Sequence, residues 1–118
     1  MITGFEKRTK EINAEETRIA HHLFSVFVLH SKFRTSGVII SELKRVFGVK
    51  LHSVRLRKVI HYIRTELCQN GFIIATSKGY KYTESQEELD MYETSLGQRI
   101  NSQLEIWNGL AKIMRGSK

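Results

Sequence analysis

The sequence predicts a mainly α-helical chain with one small antiparallel β-sheet, an α+β arrangement ending in a long C-terminal helix. Three observations carry this. Apolar residues recur at three- and four-residue spacing in four separate stretches, as they do where helices bury one face. Two β-prone runs, Phe72-Ile73-Ile74-Ala75 and Tyr80-Lys81-Tyr82-Thr83, flank the turn-forming Thr76-Ser77-Lys78-Gly79. The composition of the 118 residues, 41% apolar and 26% charged with no proline, is that of a globular chain with room for a single core.

Taken in order, residues 1–12 mix charge with isolated apolar positions and read as a flexible leader. Asn13 offers a side-chain oxygen as helix cap, and Glu16 completes a capping box ahead of Ile19, Leu23, Val26, Phe27 and His30, so helix one is expected from about Ala14 to His30. Val38-Ile39-Ile40 is a short β-branched run, expected as a strand of the small sheet. Ser41 would then cap helix two, whose face is Leu43, Val46 and Phe47 and whose end is Gly48, since glycine tolerates the left-handed turn that stops a helix. Helix three starts at His52 or Ser53, the latter the better cap. It buries Leu56, Val59, Ile60, Ile63 and Leu67 on one stripe and ends at Asn70-Gly71. The hairpin follows, with Lys78 at its tip. Ser85-Gln86-Glu87-Glu88 is a second capping box, opening a helix with Leu89, Tyr92, Leu96, Ile100, Leu104, Trp107 and Ala111 on one face and an end near Met114. The expected organisation is thus a leader over 1–12, a domain over 13–84, a C-terminal helix over 85–114 as a dimerisation element, and a tail over 115–118.

Charge is unevenly spread. Lys and Arg number 19 against 12 Asp and Glu, a net +7; residues 1–83 hold 15 and 6, giving +9, while 84–118 hold 4 and 6, giving −2. Within Ser41 to Arg64 seven basic residues face one acid, Glu42. Such an excess favours polyanionic partners, nucleic acid first and an acidic membrane surface second. The single cysteine, Cys68, cannot form an internal disulfide, and nothing at the N-terminus reads as a secretory signal, so a reducing cytoplasm is the expected compartment. The most apolar stretch, Ile19 to Leu29, is interrupted by His21, His22 and Ser25 and is well short of the roughly 20 residues that cross a bilayer.

The order helix, short strand, helix, turn, helix, hairpin resembles a winged helix-turn-helix domain. Ile40-Ser41-Glu42-Leu43-Lys44 opens the second helix, and Leu56 to Arg64 looks like a recognition helix. Asn70-Gly71-Phe72-Ile73-Ile74 through Lys78-Gly79-Tyr80-Lys81-Tyr82 looks like the wing. Glu87-Glu88-Leu89 and Ser95-Leu96-Gly97-Gln98-Arg99 resemble the tail of small phage- and prophage-encoded winged-helix proteins, and the likeness runs from about Val38 to Ile100. It implies a cytoplasmic, nucleoid-associated protein that binds double-stranded DNA, as a transcription regulator or a replication accessory factor. The third helix would enter the major groove, which is wide enough for one helix, and the wing would rest on the backbone. Arg55, Lys58, His61 and Tyr62 would meet base edges and Val54 a thymine methyl, while Ser53, Lys44, Arg45, Arg57 and Lys78 would meet phosphates, with Lys81 of the wing also among the DNA-contacting residues.

Other chemistries are weaker. His21 and His22 are adjacent and point about 100° apart, and His22 and His30 are two turns apart, roughly 12 Å along the axis, so no metal site is expected. Cys68 follows a core position and reads as a small buried filler. The carboxylates Glu84, Glu87, Glu88, Asp90 and Glu93 surround the start of a helix, where the macrodipole favours anions, rather than forming an acid/base pair. With no phosphate-cradling loop or nucleophile motif, the chain is expected to be a non-enzyme that takes no cofactor. The last helix would run roughly 45 Å, longer than so small a domain covers, so Leu96, Ile100, Leu104 and Trp107 are expected to form a homodimer interface that presents two recognition helices to a duplex. Two alternatives stand beside this: a monomer with that helix folded back over helix one, and a winged-helix adaptor that uses the helix to hold a protein partner without binding DNA.

Overall fold

A computed structural model describes residues 11–116. Within these residues, four α-helices and one two-stranded antiparallel sheet follow in the order α1 (Ala14–Leu29), α2 (Ser36–Phe47), α3 (Ser53–Tyr62), β1 (Phe72–Thr76), β2 (Gly79–Thr83) and α4 (Gln86–Gly116). The chain divides into two compact units between Ser85 and Gln86. No described helix is long and apolar enough to cross a membrane.

Helix α1 begins as its capping box dictates. The Glu16 N–H donates to Asn13 Oδ1 at 2.8 Å and the Asn13 N–H donates to Glu16 Oε1 at 3.1 Å, satisfying two of the donors a helix start leaves open. Residues 1–10 of the expected leader lie outside the described residues, whereas Ile12 is packed against the core.

The expected strand at Val38-Ile39-Ile40 is instead helix: α2 starts at Ser36, capped by Thr35, whose Oγ1 accepts from the Val38 N–H at 3.3 Å, so Ser41 is a mid-helix residue and not a cap. Tertiary packing decides the matter. Ile39 and Leu43, one helical turn apart, are both buried, and that burial outweighs the local β preference of three branched residues. Val46 and Phe47, expected on the buried face with Leu43, are instead exposed at the end of α2. The third strand's role falls to Arg34, which forms a single antiparallel bridge with Tyr80 through reciprocal backbone bonds of 2.8 Å. Gly48 ends α2 in the left-handed conformation at φ 70°.

Ser53 is the first residue of α3 rather than its cap; His52 occupies the cap position without a side-chain hydrogen bond. The expected single helix is broken after Tyr62, where residues Ile63–Leu67 form a wider π turn, closed by the Cys68 N–H donating to Ile63 O at 2.9 Å. The hairpin pairs Phe72 with Thr83 through Thr76 with Gly79, leaving Ser77-Lys78 as a two-residue turn. The core of this unit gathers Ile19, Leu23 and Phe27 of α1, Ile39 and Leu43 of α2, and Leu56, Val59 and Ile60 of α3, with Ile63, Ile73 and Tyr82. Helix α4 spans 31 residues, ending two beyond the expected Met114.

Gly79 is where the hairpin meets the Arg34 bridge. Its φ is +114°, and a Cβ there would come within 2.3 Å of the Arg34 carbonyl oxygen. Gly79→Ala is therefore expected to cost about 2–4 kcal/mol in chemical denaturation. Gly37→Ala, in α2 with nothing within 4 Å of the added carbon, should instead stabilise by about 0.5–1 kcal/mol. Equal effects at the two positions would contradict the bridge.

Candidate nucleic-acid interface

The periodicity of α3 sorts its side chains before any partner is considered. Leu56, Val59 and Ile60 are buried, which leaves Ser53, Arg57 and His61, spaced four apart, on an exposed row, with half-buried Val54 and Lys58 beside it. Arg55 and Tyr62 fall on the flank toward α1, where the Tyr62 ring lies 6.3 Å from that of His21, edge to face.

Arg55 is held on that flank by Glu16. Its Nε donates to Glu16 Oε2 at 2.9 Å and its Nη2 to Glu16 Oε1 at 2.5 Å, a bidentate pair in which the carboxylate side chain is 8% exposed and the guanidinium 17%. Nη2 also donates to the Glu11 carbonyl at 3.2 Å. The Arg55 hydrogen bonds hold the Glu16 carboxyl below its ordinary pKa against the opposing effect of burial, and the same pair raises that of Arg55. Reading a base edge would require Arg55 to leave this partner, so it drops out of the expected base-contacting set for a physical reason: its charge is already spent on the fold.

The remaining residues fall into separate places. A cleft of about 340 Å³ is lined by Thr35 and Ser36 at the start of α2, Ser53 and Arg57 of α3, and Thr76 and Ser77 of the hairpin. Lys78 follows at the exposed tip, with its Nζ 6.0 Å from the Phe33 ring, while the Lys81 Nζ sits 5.4 Å from the same ring. Lys44 is exposed on the last turn of α2. Arg45 is not gathered with these: it lines a different cleft, of about 270 Å³, with His22 and His30 of the α1 region, Arg34 and Glu42. Sequence reasoning missed Phe33 and Arg34. Arg34 pairs with Glu42, so the one acid of the basic stretch is already neutralised. Only the run Lys32-Phe33-Arg34, basic residues around an aromatic, hinted at either.

Cys68 is half-buried, and burial pushes its thiol pKa up, away from nucleophilic character. Among the described residues no three His, Cys, Asp or Glu side chains come together as a metal site would need. Of the expected dimer residues, Leu96 is half-buried while Ile100, Leu104 and Trp107 are exposed. The chain matches no protein-family model, no curated protein and no solved structure.

The Glu16 pair sets an acid limit on stability. Since the folded carboxyl titrates below its unfolded value of about 4.3, the pair contributes fully above that value and is lost as pH falls through the folded pKa. Denaturation from pH 7 to pH 3 should show stability dropping below about pH 4. Glu16→Gln should lower neutral-pH stability by roughly 2–3 kcal/mol and flatten that acid limb. An acid limb of the same depth in the variant would assign it to other carboxylates.

Proposed function

We propose that the chain binds double-stranded DNA, with the exposed row of α3 entering the major groove and the hairpin turn lying along a phosphate backbone. The observation that carries the reading is the basic, carboxylate-free run of α3 and the cleft that it shares with the hairpin turn. From Ser53 to Thr65 the helix and its extension contain no carboxylate, and Arg57 shares a hydroxyl-lined cleft with the hairpin turn that leads to Lys78. Hydroxyls and backbone N–H groups at two helix starts suit phosphate oxygens. Arg57 and Lys78 with Lys44 then serve as phosphate contacts, while Lys58, His61 and Val54 face the bases. The resemblance to small phage- and prophage-type winged-helix proteins supports the same reading and would make the protein a cytoplasmic regulator or replication accessory factor. A second reading, an adaptor that holds a protein partner and no DNA, draws on the exposed apolar residues of α4.

Duplex titrations by fluorescence anisotropy test this. Three or four phosphate-bound cations release counterions with a slope of about −3 in log K against log salt, so affinity should fall by roughly two orders of magnitude between about 50 and 200 mM salt. Arg57→Ala should weaken all duplexes and reduce the slope by about one. Lys58→Ala should cost about 1–3 kcal/mol on a selected sequence and less on random DNA. No binding at low salt, or binding indifferent to salt, would sink the reading and leave the adaptor.

A further inference from the structure

Outside the basic unit, the C-terminal half of α4 carries an uncovered apolar face. Ile100, Leu104, Trp107, Leu110 and Met114 are 51–65% exposed, and Ile106 and Ile113, at the edge of the same face, are 72% and 71% exposed. At about 100° per residue these positions fill one arc of roughly 180° between Ile100 and Met114, in which Gln103 is the one polar residue. Glu105 and Lys112 lie on the opposite side. Seven large side chains so exposed present on the order of 800 Å² per chain, more than the largest patch of a typical monomer and about what each partner contributes to a standard interface.

The spacing says what fits it. Leu104 and Leu110 stand three residues either side of Trp107, and Ile100 and Met114 seven residues either side. A two-fold axis through Trp107 and perpendicular to the helix would lay Ile100 of one copy on Met114 of the other and Leu104 on Leu110, which is the self-complementarity an isologous contact demands. Between Ile100 and Met114 the arc carries no charge; Arg99 and Arg115 flank its two ends, with Arg115 beside Trp107, Leu110 and Met114.

We propose that Ile100–Met114 of α4 is a self-association surface, an antiparallel contact between two copies of this chain centred on Trp107. Coupling two copies through this face stabilises a helix whose own propensity contributes little. The contact is independent of whether the chain binds DNA.

Sedimentation equilibrium of the full chain tests it directly. The expected result is a dimer with a micromolar or tighter dissociation constant, and Trp107→Asp, at a position exposed in the single chain, should weaken association at least about 100-fold while cooperative unfolding persists. Orientation is read by disulfide formation in a Cys68→Ser background: mixing the Ile100→Cys and Met114→Cys variants should give the mixed dimer, and neither variant alone should cross-link. A chain that stays monomeric at about 100 micromolar overturns the proposal, as does a monomer that instead adsorbs to phosphatidylcholine vesicles. Self-cross-linking of Ile100→Cys alone overturns the antiparallel arrangement.

Discussion

The bidentate pair between Glu16 and Arg55 is the contact on which the geometry of the basic unit depends. One carboxylate does two jobs at once: it closes the capping box that starts α1, and it holds the first turn of α3, 39 residues later in sequence. Two ions taken this far out of water are tolerable only when each saturates the other, and the fork of Arg55 meets both oxygens of Glu16. The rotation of α3 about its axis is thereby set. With Arg55 turned to α1 and Leu56, Val59 and Ile60 turned to the core, Ser53, Arg57 and His61 are the residues left facing outward.

Charge follows the same logic. Glu16 and Glu42 are each committed to an arginine, Arg55 and Arg34, inside or beside the core. These pairs account for Glu16 and Glu42 among the acids of the basic unit, and α3 from Ser53 to Tyr62 contains no carboxylate of its own. Arg34 adds a backbone role, since its bridge to Tyr80 joins the segment before α2 to the hairpin and makes Gly79 the residue that lets the two backbones approach.

Much of the fold was legible because its signals are local. The Asn13–Glu16 capping box, Gly48 as a helix stop and the Leu56-Val59-Ile60 part of the α3 stripe each depend on residues a few positions apart and appear where the spacing put them, while the hairpin turn falls within the expected Thr76–Gly79 but is only Ser77-Lys78, since Thr76 and Gly79 pair. Val38-Ile39-Ile40 was misread because branched residues favour strands locally, while burial of Ile39 and Leu43, a nonlocal effect, decided for helix. The bridge at Arg34 leaves no alternating pattern to find, being one residue long. Arg55 shows the limit most clearly at the site: as a basic residue on a basic helix it looked like a base reader, and nothing near it in sequence announced that Glu16 would claim it. Arg57 and His61 were legible as surface because the buried stripe of α3 excludes them by period alone, whereas Lys58, beside them, is half-buried.

A double-mutant cycle on Glu16 and Arg55 tests the central dependence, with unfolding free energies measured for Glu16→Ala, Arg55→Ala and the double variant at neutral pH and moderate salt. A coupling of about 2 kcal/mol or more is expected, because each single truncation strands the other charge in a largely dehydrated site. A coupling near zero, with the two losses simply adding, would contradict the claim that this pair fixes α3 and sets which face it presents.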